Sequence, residues 1–304
     1  INYHAWGAEI GETPQERVRV TAAREMFALG GVVVAAALPS LLAKDVATAM
    51  QHLGWVFIPV LALGALATFA GAPAAAAPAR DAPPGLPLSA VFADPRFRRL
   101  LVVLAAGGIA SAIPATLVLF FIADVLQLQE WQGLFLVIYF VCGGLALPGW
   151  VALARRYGKV HTWLASMVLA IASFVWAFLL GPGDGLAFAL ICAASGAALG
   201  AELALPPALL ADLLADGRRK GQAAAGAGAY FGVWNFVNKF NLALAAGIAL
   251  PLVALFGYKV GAGDTASQGL LALAATYALL PAAIKVVSLL LLWRWRHHFG
   301  GSAS

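Results

Sequence analysis

Apolar residues gather in long unbroken runs along this chain, and short polar connections separate them. Eight runs hold about 20 mostly apolar residues or more, the length a helix needs to cross a bilayer. They lie at roughly 21–42, 52–71, 98–123, 131–153, 161–181, 185–214, 224–257 and 268–294. Helices are the open-ended way to cross lipid, because each backbone polar group must find its partner within the segment. Two runs, 185–214 and 224–257, are long enough to tilt or to extend beyond the bilayer. The pattern predicts an all-α polytopic membrane protein.

The connections alternate in charge. One set carries Arg17 and Arg19; Arg80, Arg96, Arg98 and Arg99; Arg155, Arg156 and Lys159; Arg218, Arg219 and Lys220; and Arg294 with Arg296, fourteen basic residues in all. The other set, near 43–51, 124–130, 182–184 and 258–267, holds only Lys44 and Lys259. Arg24, Lys239 and Lys285 fall within runs. Basic loops stay on the cytoplasmic side. The asymmetry therefore places both ends of the chain in the cytoplasm of an inner (plasma) membrane protein, and it requires an even number of spans.

Composition narrows the function classes. Hydrophobic residues make up 62% of the chain and charged residues 11%, against about 45–50% and about 25% in soluble domains. A soluble exterior cannot be built from that balance, so a lipid bilayer is the expected partner. The net charge of +5 does not point to nucleic acid, since the basic residues sit in small clusters between apolar runs. Cys142 and Cys192 fall inside runs and read as buried thiols. His297 and His298 are adjacent in a basic tail, and the other histidines show no metal-ligand spacing. Gly226 to Gly232 has the wrong spacing for a dinucleotide fingerprint. With no nucleophile and base in evident register, neither an enzyme nor a cofactor or metal is expected.

The longest polar connection is 72–97, rich in proline and alanine, and it reads as a linker. Within it, Leu88 to Phe92 is expected to form a short surface helix ahead of Asp94-Pro95. The linker separates two spans from six. Six helices after a long cytoplasmic loop is the layout of the second half of a major facilitator superfamily transporter. Local motifs carry the resemblance further. Tyr3-His4-Ala5-Trp6-Gly7-Ala8-Glu9, with Glu16-Arg17 and Arg24-Glu25-Met26-Phe27, resembles the loop between helices four and five of the glycoside–pentoside–hexuronide:cation symporters, the melibiose-permease-like family. Leu147-Pro148-Gly149-Trp150 through Arg155-Arg156-Tyr157-Gly158-Lys159 to Trp163 is similar to its loop between helices eight and nine. Leu205-Pro206-Pro207, Asp212, Tyr230-Phe231-Gly232, Lys239 and Gly257-Tyr258 resemble its helices ten and eleven.

The resemblance implies eight of twelve helices, five to twelve, with helices one to four preceding Ile1. It divides the chain into the end of an N-terminal bundle (1–71), the central linker (72–97), a six-helix bundle (98–296) and a cytoplasmic tail (297–304). It also implies cation-coupled symport of a sugar or glycoside by alternating access, in a protein monomeric when complete. The coupling cation is Na⁺ or H⁺, with its main site outside this chain. Animal relatives that carry lysolipids share the fold, so a lysolipid or another organic solute is the alternative substrate. A non-transporting membrane protein is the alternative outside transport.

Ionisable groups at bilayer depth cost at least ~2.5 kcal/mol and usually face a polar cavity or a partner. Lys239, Asn235 and Asn238 fall on one stripe of a helix at 3.6 residues per turn, beside an i, i+4 pair of Tyr230 and Trp234. Donors, acceptors and ring faces together suit a sugar. By the resemblance, Lys239 matches a lysine in the family's sugar- and cation-coupled cavity, and Arg24 matches an arginine on helix five that contacts sugar. Glu202 precedes Pro206-Pro207, which should kink its helix; it is expected to line the same cavity or to pair with Lys239. Lys285 reads as a lysine whose ammonium reaches back to the cytoplasmic interface. Arg155, Arg156, Lys159, Asp212 and Asp216 are expected to form cytoplasmic ion pairs that gate the bundles.

Overall fold

The structure is a computed structural model. It describes residues 23–24, 26–28, 30–35, 38, 42, 46–71, 87–219, 227–259 and 267–299. The helices are α1 (Val46–Gly71), α2 (Leu88–Ala93), α3 (Pro95–Phe120), α4 (Gln132–Tyr157), α5 (Lys159–Phe174), α6 (Gly185–Arg219), α7 (Ala227–Leu255), α8 (Ser267–Ala274) and α9 (Leu280–Phe299). Among the described residues, seven helical segments are long and apolar enough to cross a membrane. They correspond to seven of the eight expected runs. The first run, 21–42, lies largely outside the described residues, though Met26–Ala35 is part of a shorter apolar helix.

Helix starts follow local chemistry. The Asp94 carboxylate accepts from the Arg96 amide at 2.8 Å and the Phe97 amide at 3.4 Å, capping α3, and Pro95 occupies its first turn. The short helix expected at 88–92 forms as α2, and its Val91 is fully buried against the bundle. α3 ends in a π turn, Phe121–Val125. A second π turn, Ala275–Leu279, joins α8 to α9. Pro281 follows it, and proline cannot donate to the carbonyl four residues back, so a wide turn relieves the clash there. Each π turn supplies one ring of a stacked pair: Phe121 and Tyr277, centroids 4.2 Å apart.

Helices α3 to α9 pack into one unit, with α4 against α6, α5 against α6 and α9, and α3 between α7 and α9. The α4–α6 seam brings backbone against backbone at its glycines. A Cβ on Gly196 would strike the Tyr139 carbonyl oxygen, and one on Gly200 would come within 2.5 Å of the Gly143 carbonyl oxygen. Gly196 and Gly200 are four apart on one helix face, the small-residue spacing that lets membrane helices touch. The Trp150 indole N–H donates to the Ala197 carbonyl at 2.6 Å and fixes the register.

Two apolar clusters fill this unit. One holds Phe97, Leu100, Trp163, Met167, Leu210, Tyr230, Trp234 and Leu292. The other holds Leu117, Phe121, Phe188, Val253, Leu273 and Tyr277. The first gathers the starts of α3, α5 and α7 and the ends of α6 and α9. The helices therefore run alternately up and down, and the basic connections meet at that end. α1 stands apart, with Trp55 68% and Phe57 60% exposed and none of its span window buried.

At the opposite end, the Tyr258 phenol is 2% exposed and donates to the Asp124 carboxylate. Burial, and then this carboxylate, push the phenol above its ordinary value of 10.0. Its bond therefore stabilises the fold fully below pH 10 and is lost as pH rises from there through the raised value. Tyr258→Phe should weaken the protein by about 1–2 kcal/mol near neutrality and remove that part of the alkaline loss, read by denaturation midpoints across pH. For the seam, Gly200→Leu should lower the melting temperature in detergent by several degrees. Gly247→Ala should leave it unchanged or slightly raised, because a Cβ there meets nothing within 4 Å and alanine favours a helix interior over glycine.

Candidate functional site

Between the two apolar clusters lies a layer of polar side chains, midway along the helices. α3 contributes Ser111, α6 contributes Ser195 and Glu202, α7 contributes Asn241, and α9 contributes Lys285 and Ser288. Lys285 is 6% exposed, and its ammonium pairs with Oε1 of Glu202. The Ser111 hydroxyl sits 3.1 Å from Oε2 of Glu202 and 3.1 Å from Nζ of Lys285. It also lies 3.1 Å from the Gly107 carbonyl. A hydroxyl has one proton and two lone pairs, so Ser111 accepts from Lys285 while donating to the carboxylate or to the carbonyl.

Packing around α3 holds this cluster in register. Ser288 donates to the Val103 carbonyl at 3.0 Å, next to Gly107. Gly108 leaves the space that the buried Asn241 amide fills. Each helix of the cluster also carries a proline within one turn of its polar residue: Pro114 after Ser111, Pro206 after Glu202 and Pro281 before Lys285. Each removes the backbone donor that would bond four residues back. The carbonyls of Ala110, Glu202 and Tyr277 thereby lose their usual helical partners, which leaves negative potential near the layer. α6 continues through Pro206 and Pro207.

The pair forms part of the wall of a partly open cavity of about 330 Å³. Helices α3, α4, α5, α6 and α9 line it, mostly with apolar side chains. Tyr139, Cys192, Ser195 and Tyr277 join Ser111, Glu202 and Lys285 as its polar or polarisable groups. Partly open and lined mostly by apolar side chains, it can hold a small ligand against the carboxylate. Among the described residues no group of His, Cys, Asp and Glu has metal-site geometry.

The structure separates the residues expected to share one cavity. Glu202 lines the internal cavity, but its cation is Lys285, not Lys239. Lys285 was expected to reach the interface. The helical segment instead continues to Phe299, which puts Lys285 midway along it, too deep to reach water. Asn238 and Lys239 are exposed on the outer face of α7, flanked by Phe236 and Phe240, whose rings stack at 5.8 Å. Asn235 is half-buried and bonds back to the Phe231 carbonyl at 2.9 Å. Trp234, 5% exposed, belongs to the apolar cluster at the basic end. Arg24 is helical and half-buried and is not among the residues lining the cavity.

Two ion pairs form at the basic end, both inside one six-helix unit. Lys159 binds Asp212 at 2.6 Å, tying α5 to α6, and Arg96 lies 3.7 Å from Asp216, tying α3 to α6. Arg155 and Arg156 are exposed in the last turn of α4, where cations suit the helix dipole. The Arg156 guanidinium covers the Tyr157 ring at 5.3 Å. Sequence reasoning missed Ser111, Tyr139 and Tyr277. The tyrosines interrupt apolar runs and could have been singled out; Ser111, among small residues, carries no such signal.

A family model described as MFS/sugar transport protein matches residues 1–296. The chain belongs to this family. No curated protein matches it. As a major facilitator protein with seven membrane-crossing helices among its described residues, it is a multi-pass all-α membrane protein, and these features support a secondary transporter over an enzyme.

In this facilitator the pair itself makes a stability prediction. Lys285→Met or Glu202→Gln alone should destabilise by about 3–5 kcal/mol, because each leaves a buried partner uncompensated. The double variant should recover most of that loss, read as a double-mutant cycle of unfolding in detergent. A loss in the double equal to the sum of the two single losses would show that the two charges do not interact.

Proposed function

We propose that this facilitator carries a sugar or glycoside by symport with a monovalent cation, Na⁺ or H⁺, in the manner of the melibiose-permease-like symporters. The observation that carries the reading is the outer face of α7. Lys239 lies near the middle of its span, exposed, with Asn238 beside it and the stacked Phe236 and Phe240 rings on either side. Facing hydrocarbon, that ammonium would cost at least ~2.5 kcal/mol. Facing a water-filled path between two halves of a transporter, it costs little and offers donors to hydroxyls, while the rings offer apolar faces to a pyranose. Alternating access then moves the six-helix unit about that path. Arg24 is assigned to the same path, where a planar guanidinium can hold two adjacent hydroxyls.

The test is uptake of labelled sugars into vesicles holding the complete protein, with and without Na⁺ and pH gradients. Gradient-driven sugar uptake is expected, reduced at least tenfold in Lys239→Ala and in Asn238→Ala/Lys239→Ala. Lysolipid uptake without any sugar uptake would overturn the reading in favour of an acyl-chain substrate.

A further inference from the structure

We propose that the cavity inside the six-helix unit is a second ligand site, separate from the α7 face on which the sugar is placed. Its ligand is a small neutral aromatic molecule with a hydroxyl at each end of its long axis. The shape of the space, its rings, its unpartnered phenols and its neutral polar end carry the proposal, which stands or falls independently of the sugar reading.

The lining follows α6 from Ile191 to Glu202 and the last span from Tyr277 to Lys285. At 1.5 Å per residue those stretches are about 16 Å and about 12 Å long, so the cavity is a slot. Its volume of about 330 Å³ is roughly twice the ~150 Å³ that stays dry and takes up one benzene. That is enough for a ring and a short chain. The two ends differ. Ser111, Glu202 and Lys285 mark one end. Phe135, whose ring meets Phe188 at 4.9 Å, and Tyr277, whose ring meets Phe174 at 5.1 Å, mark the other. Tyr139 lies between them, its carbonyl level with Gly196. A wall of rings favours an aromatic body.

The polar groups set the rest of the ligand. Tyr277 is 2% exposed, yet its hydroxyl has no hydrogen-bond partner among the described residues, and neither has that of Tyr139. A buried donor without an acceptor is costly, and a ligand oxygen at each phenol removes that cost. At the polar end the Glu202 carboxylate and the Lys285 ammonium cancel. A charged ligand would bring a third, uncompensated charge into a setting that screens poorly. A hydroxyl fits there, because it accepts from Tyr139 and donates its one proton to Glu202. A pyranose does not fit, since most of its hydroxyls would face alkyl and ring walls without partners.

Equilibrium dialysis of tritium-labelled 2-(4-hydroxyphenyl)ethanol against the complete protein in lipid nanodiscs tests this, with empty discs reading partition into lipid. One saturable site per protein is expected. Ala170→Phe, which fills the slot from α5, and Ala282→Leu, which narrows it from α9, should each weaken binding at least tenfold. Their melting temperatures report whether each folds. Tyr277→Phe keeps the ring and should weaken the probe at least fivefold, while leaving 4-ethylphenol, which lacks the second hydroxyl, unchanged. This variant decides the matter if neither filling variant folds. Lys239→Ala should leave probe binding unchanged, and methyl glucoside should not displace the probe. The proposal is overturned by the absence of a saturable site or by undiminished binding in a folded filling variant. Equal losses of both phenols in Tyr277→Phe, weaker binding in Lys239→Ala, or displacement by the glucoside overturn it as well. No readout uses transport, so failure of sugar uptake leaves the slot standing, and loss of probe binding leaves the sugar reading untouched.

Discussion

An ammonium and a carboxylate held between two apolar clusters set the terms for the rest of the six-helix unit. Separating either charge from water costs several kcal/mol, and only close pairing with further hydrogen bonds offsets it. Ser111 accepts from the ammonium and lies within hydrogen-bond reach of the carboxylate. That requirement fixes α3, α6 and α9 along their axes to within a fraction of a turn. The proline placed within a turn of each polar residue and the small residues around Ser111 are consistent with the same constraint. Together they bring helices close and leave carbonyl oxygens where positive charge needs them.

The layered arrangement also divides the work of the unit between an inside and an outside. The inside holds a charge pair and a small cavity with tyrosines on its wall. The outside, on α7, holds an exposed lysine and asparagine at the same depth. Trp234, which the helical wheel sets beside Asn238, belongs instead to the apolar cluster at the basic end. It anchors α7 so that the neighbouring stripe faces away from the bundle.

The spans were legible because an apolar run of sufficient length has no other use in lipid. Their alternation was legible because arginine and lysine mark one side. Asp94-Pro95 announced the start of α3, and Leu88 to Phe92 the helix before it. The partner of Glu202 was not legible. Which helices neighbour one another depends on packing between distant segments, and a lysine at 239 or at 285 looks equally suitable along the chain. The depth of Lys285 was misjudged for a related reason: the apolar run ends near 294 in the sequence, yet the helix continues to Phe299. The ion pairs at the basic end involve the expected residues Lys159, Asp212 and Asp216, but they link neighbours within one unit. Spacing alone cannot tell an internal tie from a contact between bundles.

The bare contact between α4 and α6 has a mechanical consequence. With backbone against backbone at Gly143, Gly196 and Gly200, neither helix can slide past the other without carbonyl oxygens colliding. Tyr139 and Glu202 must therefore travel together, as two points on a single stiff lever. Any bending of the unit is left to its joints. The natural ones are the two π turns, at Phe121–Val125 and Ala275–Leu279, where the regular ladder of hydrogen bonds is already interrupted. Their stacked rings would act as the bearing on which that lever turns.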